Sequence, residues 1–285
     1  MLQISRLLPK GSPTRCYSSV ARFSKVRSVQ YDGKQSIDSF DTTQPALFKN
    51  SFADLPARSK WFTHDTHSHA KLTPYLSHHD ASLVSLELTR SSPSPSDPQP
   101  TTFERFDAPL SLLLSHMTGP ETPDTRLYLA QHSLSDLPEQ LQHDLPTPLL
   151  FTQLGRGDIY SSSLWMGRPP TRTPLHRDPN PNLFVQLAGR KVVRLLRPEV
   201  GRGVYEWVRS EVGKGGGRAS MRGVEMMEGE EMVGLENAVW GSSGVGEGVE
   251  AELESGDGLY IPLGWWHAVH GIGKGANASV NWWFR

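Results

Sequence analysis

A mainly β fold with flanking helices, a double-stranded β-helix or jelly-roll, is predicted by three observations. Apolar runs of strand length alternate with glycine and proline turns through the second half of the chain. An H-x-D pair, His176 and Asp178, stands at a strand edge, and His267 closes the segment GDGLYIPLGWWH at 256–267. That segment reads as a turn, a strand, a proline break and a histidine flanked by aromatics, the way a jelly-roll strand presents its end at a barrel mouth.

Composition narrows the function classes. A chain of 285 residues, 36% hydrophobic and 21% charged, can bury one sizeable core with a small accessory layer. No uninterrupted apolar run approaches the roughly 18 residues that a membrane helix needs, so no membrane partner is expected. Lys and Arg total 29 against 30 Asp and Glu, which leaves no global basic field for nucleic acid, and a nucleic-acid partner is disfavoured. Cys16 is the only cysteine, which excludes a disulfide framework and any cysteine-built zinc module. A metal centre here must use histidine and carboxylate.

Residues 1–31 hold Arg6, Lys10, Arg15, Arg22, Lys25 and Arg27, several serines and no acidic residue. This is the composition of a mitochondrial transit peptide, with RCYSS at 15–19 as a processing site; a disordered basic tail is the alternative reading. Residues 32–285 are expected to form one domain. SLEL at 85–88 reads as a strand and SSPSPSDPQP at 91–100 as a loop insertion. Residues 103–117 read as an amphipathic helix with Phe106, Leu110, Leu113 and Leu114 near one face. After LYL at 127–129 comes a helical stretch at 134–141, cut by Pro138 and Pro146. Leu183, Val185 and Leu187 alternate with Phe184 and Gln186, Gly189 turns the chain, and 192–196 resumes an apolar strand, which reads as a hairpin. Residues 201–250 contain 13 Gly and 9 Glu, and are expected to form a long loop inserted between core strands, with a short helix near 204–210. LYI at 259–261 and the run 278–284 supply the last strands.

The chemistry gathers at H-x-D. In a strand, residues i and i+2 share a side, so His176 and Asp178 converge while Arg177 points away. His267, arriving from a distant strand, completes a triangular face. Two histidines and one carboxylate leave the opposite coordination positions open, as in non-haem Fe(II) oxygenases. An H-x-D pair by itself arises by chance in many chains; the distal histidine after Trp265 and Trp266 makes this one informative. A denser cluster, HDTHSH at 64–69 with His78 and His79, lacks a strand or helix register to fix ligand geometry and reads as an adventitious metal binder.

Three segments, TPLHRDPNPNLFVQLAGRKVVRLLRPE at 173–199, GDGLYIPLGWWHAV at 256–269 and TRLYLAQHSLSDLP at 125–138, together resemble the JmjC-domain (cupin-like) oxygenases that depend on Fe(II) and 2-oxoglutarate. Within that family the pattern is most similar to the small arginyl and asparaginyl protein hydroxylases. The similarity covers roughly 45–285 and is weakest before 125 and across 201–250. The resemblance implies that His176, Asp178 and His267 hold Fe(II). It implies that Lys191, fifteen residues after His176, binds the far carboxylate of 2-oxoglutarate together with Thr173 and Tyr128, and that Asn182 lies near the cosubstrate. Asn281 matches a position where the asparaginyl hydroxylase has asparagine and the arginyl enzymes do not. Taken singly, Lys191 reads as a solvated hairpin residue, Tyr128 as a packing aromatic, and Thr173 and Asn182 as turn residues beside Pro174 and Pro181. The tryptophans at 165, 265, 266, 282 and 283 read first as core and rim aromatics.

What the resemblance implies is a dioxygenase consuming 2-oxoglutarate and O2 to hydroxylate a protein or peptide side chain. A tRNA-modifying hydroxylase and a lysine demethylase share the fold and are competing readings; a catalytically silent jelly-roll that binds a partner is the reading from another class. Neither the substrate nor the oligomeric state is legible.

Overall fold

The computed structural model describes residues 23–31, 41–64, 69–90, 102–122, 124–154, 157–213, 229–242, 244 and 247–285. In chain order its strands begin with β1 (Ser24–Lys25), β2 (Arg27–Ser28) and β3 (Ala46–Phe48), followed by helix α1 (Pro56–Trp61) and the small ribbon β4 (Phe62–His64) and β5 (Ala70–Leu72). Next come β6 (Leu83–Arg90), β7 (Thr102–Pro109), α2 (Leu110–Thr118), β8 (Thr125–Ser133), α3 (Glu139–His143) and α4 (Phe151–Leu154). The remaining elements are β9 (Ile159–Gly167), β10 (Thr171–Arg177), β11 (Asn182–Ala188), β12 (Arg190–Leu196), α5 (Pro198–Glu211), α6 (Gly229–Trp240), β13 (Val249–Leu253), β14 (Gly258–Ile261), β15 (Trp266–Ile272) and β16 (Asn277–Phe284).

Strands β9 to β16 form a jelly-roll of two facing sheets. One has the order β13-β12-β15-β10, with β1 on its far edge; the other has the order β14-β11-β16-β9, extended beyond β9 by β8, β6 and β7 and beyond β14 by β3 and β2. Strand period sorts the side chains into layers. Phe184, Val193, Leu195, Leu253, Leu259 and Val269 fill the space between the sheets. Leu183, Val185, Leu187, Val280 and Trp282 point out of the larger sheet into a core shared with Trp61, Leu113, Leu141 and Phe151 of the four N-terminal helices. On the opposite side, Leu175, Leu196, Trp266 and Ala268 pack under Tyr205, Val208, Leu235 and Val239 of α5 and α6.

Three of four sequence expectations need correction. First, β11 and β12 are not a hairpin: β11 pairs with β14 and β16, while β12 pairs with β13 and β15, so the chain crosses from one sheet to the other. Gly189 makes that corner at φ 68°, where a Cβ would stand 2.6 Å from the Ala276 carbonyl oxygen. Second, the segment 103–117 is strand β7 up to Pro109 and helix only from Leu110. Leu110, Leu113, Leu114 and Met117 form the buried face of α2, and Phe106 belongs to the strand before it. Third, the helical stretch at 134–141 is cut at Pro138 as expected, into a 3-10 turn at Leu134–Asp136 and α3. Fourth, the described parts of 201–250 include two helices, α5 and α6, whose glycines are tolerated because their apolar faces pack on the sheet.

The insertion at 91–100 lies outside the described residues, as do Asp65 to Ser68 of the histidine cluster and most of the N-terminal segment. Within that segment, however, Ser24–Lys25 pairs with Val249 and Glu250, and Arg27–Ser28 pairs with Ala46 and Leu47. The folded body thus begins before residue 32, and Val26 and Tyr31 are buried in it.

Candidate metal centre

His176 and His267 are directly opposed partners on the antiparallel strands β10 and β15, with ring centroids 4.1 Å apart. Asp178 follows two residues after His176, just past the end of β10, and comes back between them. Its Oδ1 is 3.9 Å from His176 Nε2 and its Oδ2 is 3.5 Å from His267 Nε2. All three side chains are buried, and one donor atom from each lies within 4.8 Å of the others. An ion bound at about 2.1 Å by each donor fits among atoms at this spacing. Among the described residues this is the one such group, and His69, His78 and His79 belong to none.

Each imidazole has a distinct local partner. His176 Nδ1 lies 2.8 Å from the Pro174 carbonyl, which only accepts, so Nδ1 carries the proton and Nε2 presents its lone pair. Burial pushes the His267 pKa below its ordinary value, against the opposing pull of the Asp178 charge and the Trp265 carbonyl. Burial thus favours the neutral, ligating form of His267, and the Pro174 carbonyl selects the His176 tautomer whose Nε2 faces the site.

Asp178 Oδ2 also accepts from Asn182 Nδ2 at 2.8 Å, and Asn182 Oδ1 accepts from Asn281 Nδ2 at 2.9 Å. Since the carboxylate can only accept, the relay has one polarity, and Asn281 is left with its oxygen facing onward. That Oδ1 is buried without a hydrogen-bond partner among the described residues, and so is Nε1 of Trp283, which lines the same cavity. A buried acceptor and a buried donor left open in one cavity point to a bound molecule that completes them.

At the other end of the cavity Lys191, 2% exposed, donates to Ser279 Oγ at 2.6 Å and to Tyr128 Oη at 3.3 Å, and its ammonium stands 5.2 Å from the Phe184 ring centre. A buried ammonium favours a site that an anion enters. Lys191 is on the inward face of β12, set by strand register and not by a hairpin turn. Thr173 lines the same wall. One cavity thus collects all eight sequence-predicted residues: His176, Asp178, His267, Lys191, Thr173, Tyr128, Asn182 and Asn281. Sequence reasoning missed Ser279, whose signal was its place two residues before Asn281 on the same face of β16. Trp165 and Trp283, read as core or rim aromatics, line the cavity with Phe184 and Val269.

A cupin-like domain family matches residues 38–285. Among curated proteins, the chain is 28% identical over 241 residues to lysine-specific demethylase JMJ30 of Arabidopsis thaliana, covering 84% of this chain and 49% of that protein. It is 30% identical over 173 residues to lysine-specific demethylase 8 of Danio rerio, covering 59% and 38%. It is 29% identical over 157 residues to JmjC domain-containing protein D of Dictyostelium discoideum, covering 52% and 33%. The chain spans half or less of the length of these relatives.

Proposed function

This chain belongs to the cupin-like domain family, of the JmjC type, and from that premise we propose that it is an Fe(II)- and 2-oxoglutarate-dependent oxygenase that hydroxylates a protein side chain. The observation that carries the reading is one buried cavity with a His-Asp-His donor set at one end and a buried ammonium at the other. JmjC enzymes use ferrous iron, 2-oxoglutarate and O2, which together supply the oxidising power that turns a C–H bond into an alcohol, with succinate and CO2 as co-products.

The protein's own residues have separate tasks. His176, Asp178 and His267 would hold the ion on one face and leave the opposite face open. Lys191, with the hydroxyls of Tyr128, Ser279 and Thr173, would receive the far carboxylate of the cosubstrate. Asn182 fixes the Asp178 carboxylate, and Asn281 offers an acceptor to whatever lies beside the ion. Trp165, Trp283, Phe184 and Val269 exclude bulk water and so strengthen every polar contact inside.

Removal of a methyl group from methyl-lysine is the second reading, favoured by the names of the Arabidopsis and Danio relatives. Both outcomes start with oxidation of a C–H bond; a hydroxyl on an N-methyl carbon departs as formaldehyde, whereas one on a side-chain carbon persists. Hydroxylation is preferred because Asp178 is the one carboxylate among the residues lining the cavity, and a methylammonium would lack an anionic partner of its own. Mass spectrometry of peptides treated with enzyme, Fe(II) and 2-oxoglutarate separates the two. Gain of one oxygen atom supports hydroxylation; loss of a methyl group with release of formaldehyde supports demethylation and overturns it. The acid-free composition of 1–31 supports a mitochondrial address as part of the same proposal, and a reporter fused to that segment tests it.

A further inference from the structure

Strand β10 is the free edge of the smaller sheet, while β8, β6 and β7 carry the larger sheet past β9, so the two sheets part on this side. The opening is a groove lined by Glu87, Arg126, Tyr128, Arg168, Arg172 and Met232, among others. Tyr128 is its common wall with the cavity of Lys191.

The charges in this groove do not cancel. Glu87 is held by Arg105, at 2.7 Å, from outside it. Arg168 donates to the carbonyls of Met117, Gly119 and Pro120, which ties down its guanidinium without neutralising it. Arg172 lies 3.5 Å from Glu236, the one carboxylate that pairs with any of these three guanidinium groups among the described residues. Arg126 has no carboxylate partner among the described residues; burial, and then the charge of Arg172, press its pKa down. His116, beside the groove, is depressed by burial and then by Arg168. A chain of net charge −1 thus gathers three guanidinium groups around one opening, and an anion there would relieve their repulsion. Pro170, Pro174 and Met232 give the groove an apolar wall, which suits a polypeptide better than a free ion.

We propose that this groove binds an acidic segment of the protein substrate, placing Asp or Glu side chains against Arg126 and Arg172 while a neighbouring residue enters the cavity past Tyr128. This rests on the oxygenase reading and adds the substrate class: acid-flanked sites are accepted, and Lys- or Arg-rich segments are repelled.

The test uses the full chain and three fluorescein-labelled decapeptides in which Gly alternates with Glu, Gln or Lys, with binding followed by fluorescence anisotropy. The Gly-Glu peptide should bind with an affinity that falls as salt rises, and the Gly-Gln and Gly-Lys peptides should bind about tenfold more weakly or not at all. Arg126→Gln and Arg172→Gln should each weaken Gly-Glu binding about threefold, and about tenfold together, with Arg126→Lys retaining most of it. Thermal melts confirm that each variant is folded. Equal binding of Gly-Glu and Gly-Gln, or Gly-Glu binding untouched by the double substitution, overturns the proposal; so does complete displacement by inorganic phosphate at the peptide's own concentration. Peptide-free succinate formation with Fe(II) and 2-oxoglutarate, measured in parallel, reports on the oxygenase reading separately. Its absence would count against that reading and leave the peptide result standing.

Discussion

Asn182 donates to the Oδ2 atom of Asp178 at 2.8 Å, and a carboxylate that only accepts sets the polarity of the amides behind it. Removing this donor leaves Asp178 free to rotate between His176 and His267. Asn182→Ala should therefore weaken Fe(II) binding by about 10–100-fold, the usual effect of losing a group that orients a ligand. Anaerobic Fe(II) titration checks this, and an unchanged affinity in a folded variant would assign Asn182 to packing alone.

Lys191 should act on the cosubstrate rather than on iron. Lys191→Met keeps most of the side-chain volume at this 2% exposed position and removes the charge. The expected outcome is a 2-oxoglutarate KM raised by roughly tenfold or more with Fe(II) affinity unaltered. A fall in kcat at unchanged KM would remove Lys191 from the carboxylate site.

Two histidines away from the metal should make the fold acid-sensitive. The Leu127 N–H donates to His116 Nε2 at 3.3 Å and the Ser85 N–H to His132 Nδ1 at 3.4 Å, bonds that need an unprotonated nitrogen. Burial, the largest cause in each, holds both pKa values below 6.5. Between the lowered values and 6.5 the unfolded chain binds more protons, so stability is complete above 6.5 and falls as pH drops through that window. Urea midpoints measured from about pH 7.5 down to about pH 5 should fall, and less so in the His116→Gln, His132→Gln double variant.

Two glycines of α5 should respond oppositely to alanine. A Cβ on Gly201 would lie 2.2 Å from Cγ of Trp266, the residue before His267, whereas one on Gly203 meets nothing within 4 Å. Gly201→Ala should destabilise by about 1–3 kcal/mol and loosen Fe(II) binding through Trp266. Gly203→Ala should stabilise by about 0.5–1 kcal/mol, because it restricts the unfolded chain in a helical position. Thermal melts distinguish them, and equal shifts would contradict the packing of α5 against β15.

The sequence was most readable where chemistry constrains residue type. His176, Asp178 and His267 were legible because a facial triad needs those donors, and Lys191 because its register to His176 matches a family pattern. The jelly-roll followed from the same segments. What escaped was long-range pairing. Alternation in β11 and a glycine corner look alike whether the next strand pairs back or enters the facing sheet, and only the partners β14, β16, β13 and β15 decide it. Glycine counts in 201–250 hid α6 and the full length of α5, of which only 204–210 was legible, since helix propensity is weak beside the burial of Tyr205, Val208 and Leu235 against Trp266 and Ala268. Ser279 was missed for a similar reason: its place two residues before Asn281 puts it on the right face, but its role comes from Lys191, 88 residues earlier, crossing to it from the facing sheet.

Metal stoichiometry after anaerobic loading with Fe(II), on the intact chain and on His176→Ala, Asp178→Ala and His267→Ala, decides whether these three side chains hold iron. The intact chain should hold a single tightly bound iron, which each substitution removes or weakens severely while the variants stay folded. Retention of that iron in all three variants, or failure of the intact chain to hold iron, would contradict that assignment.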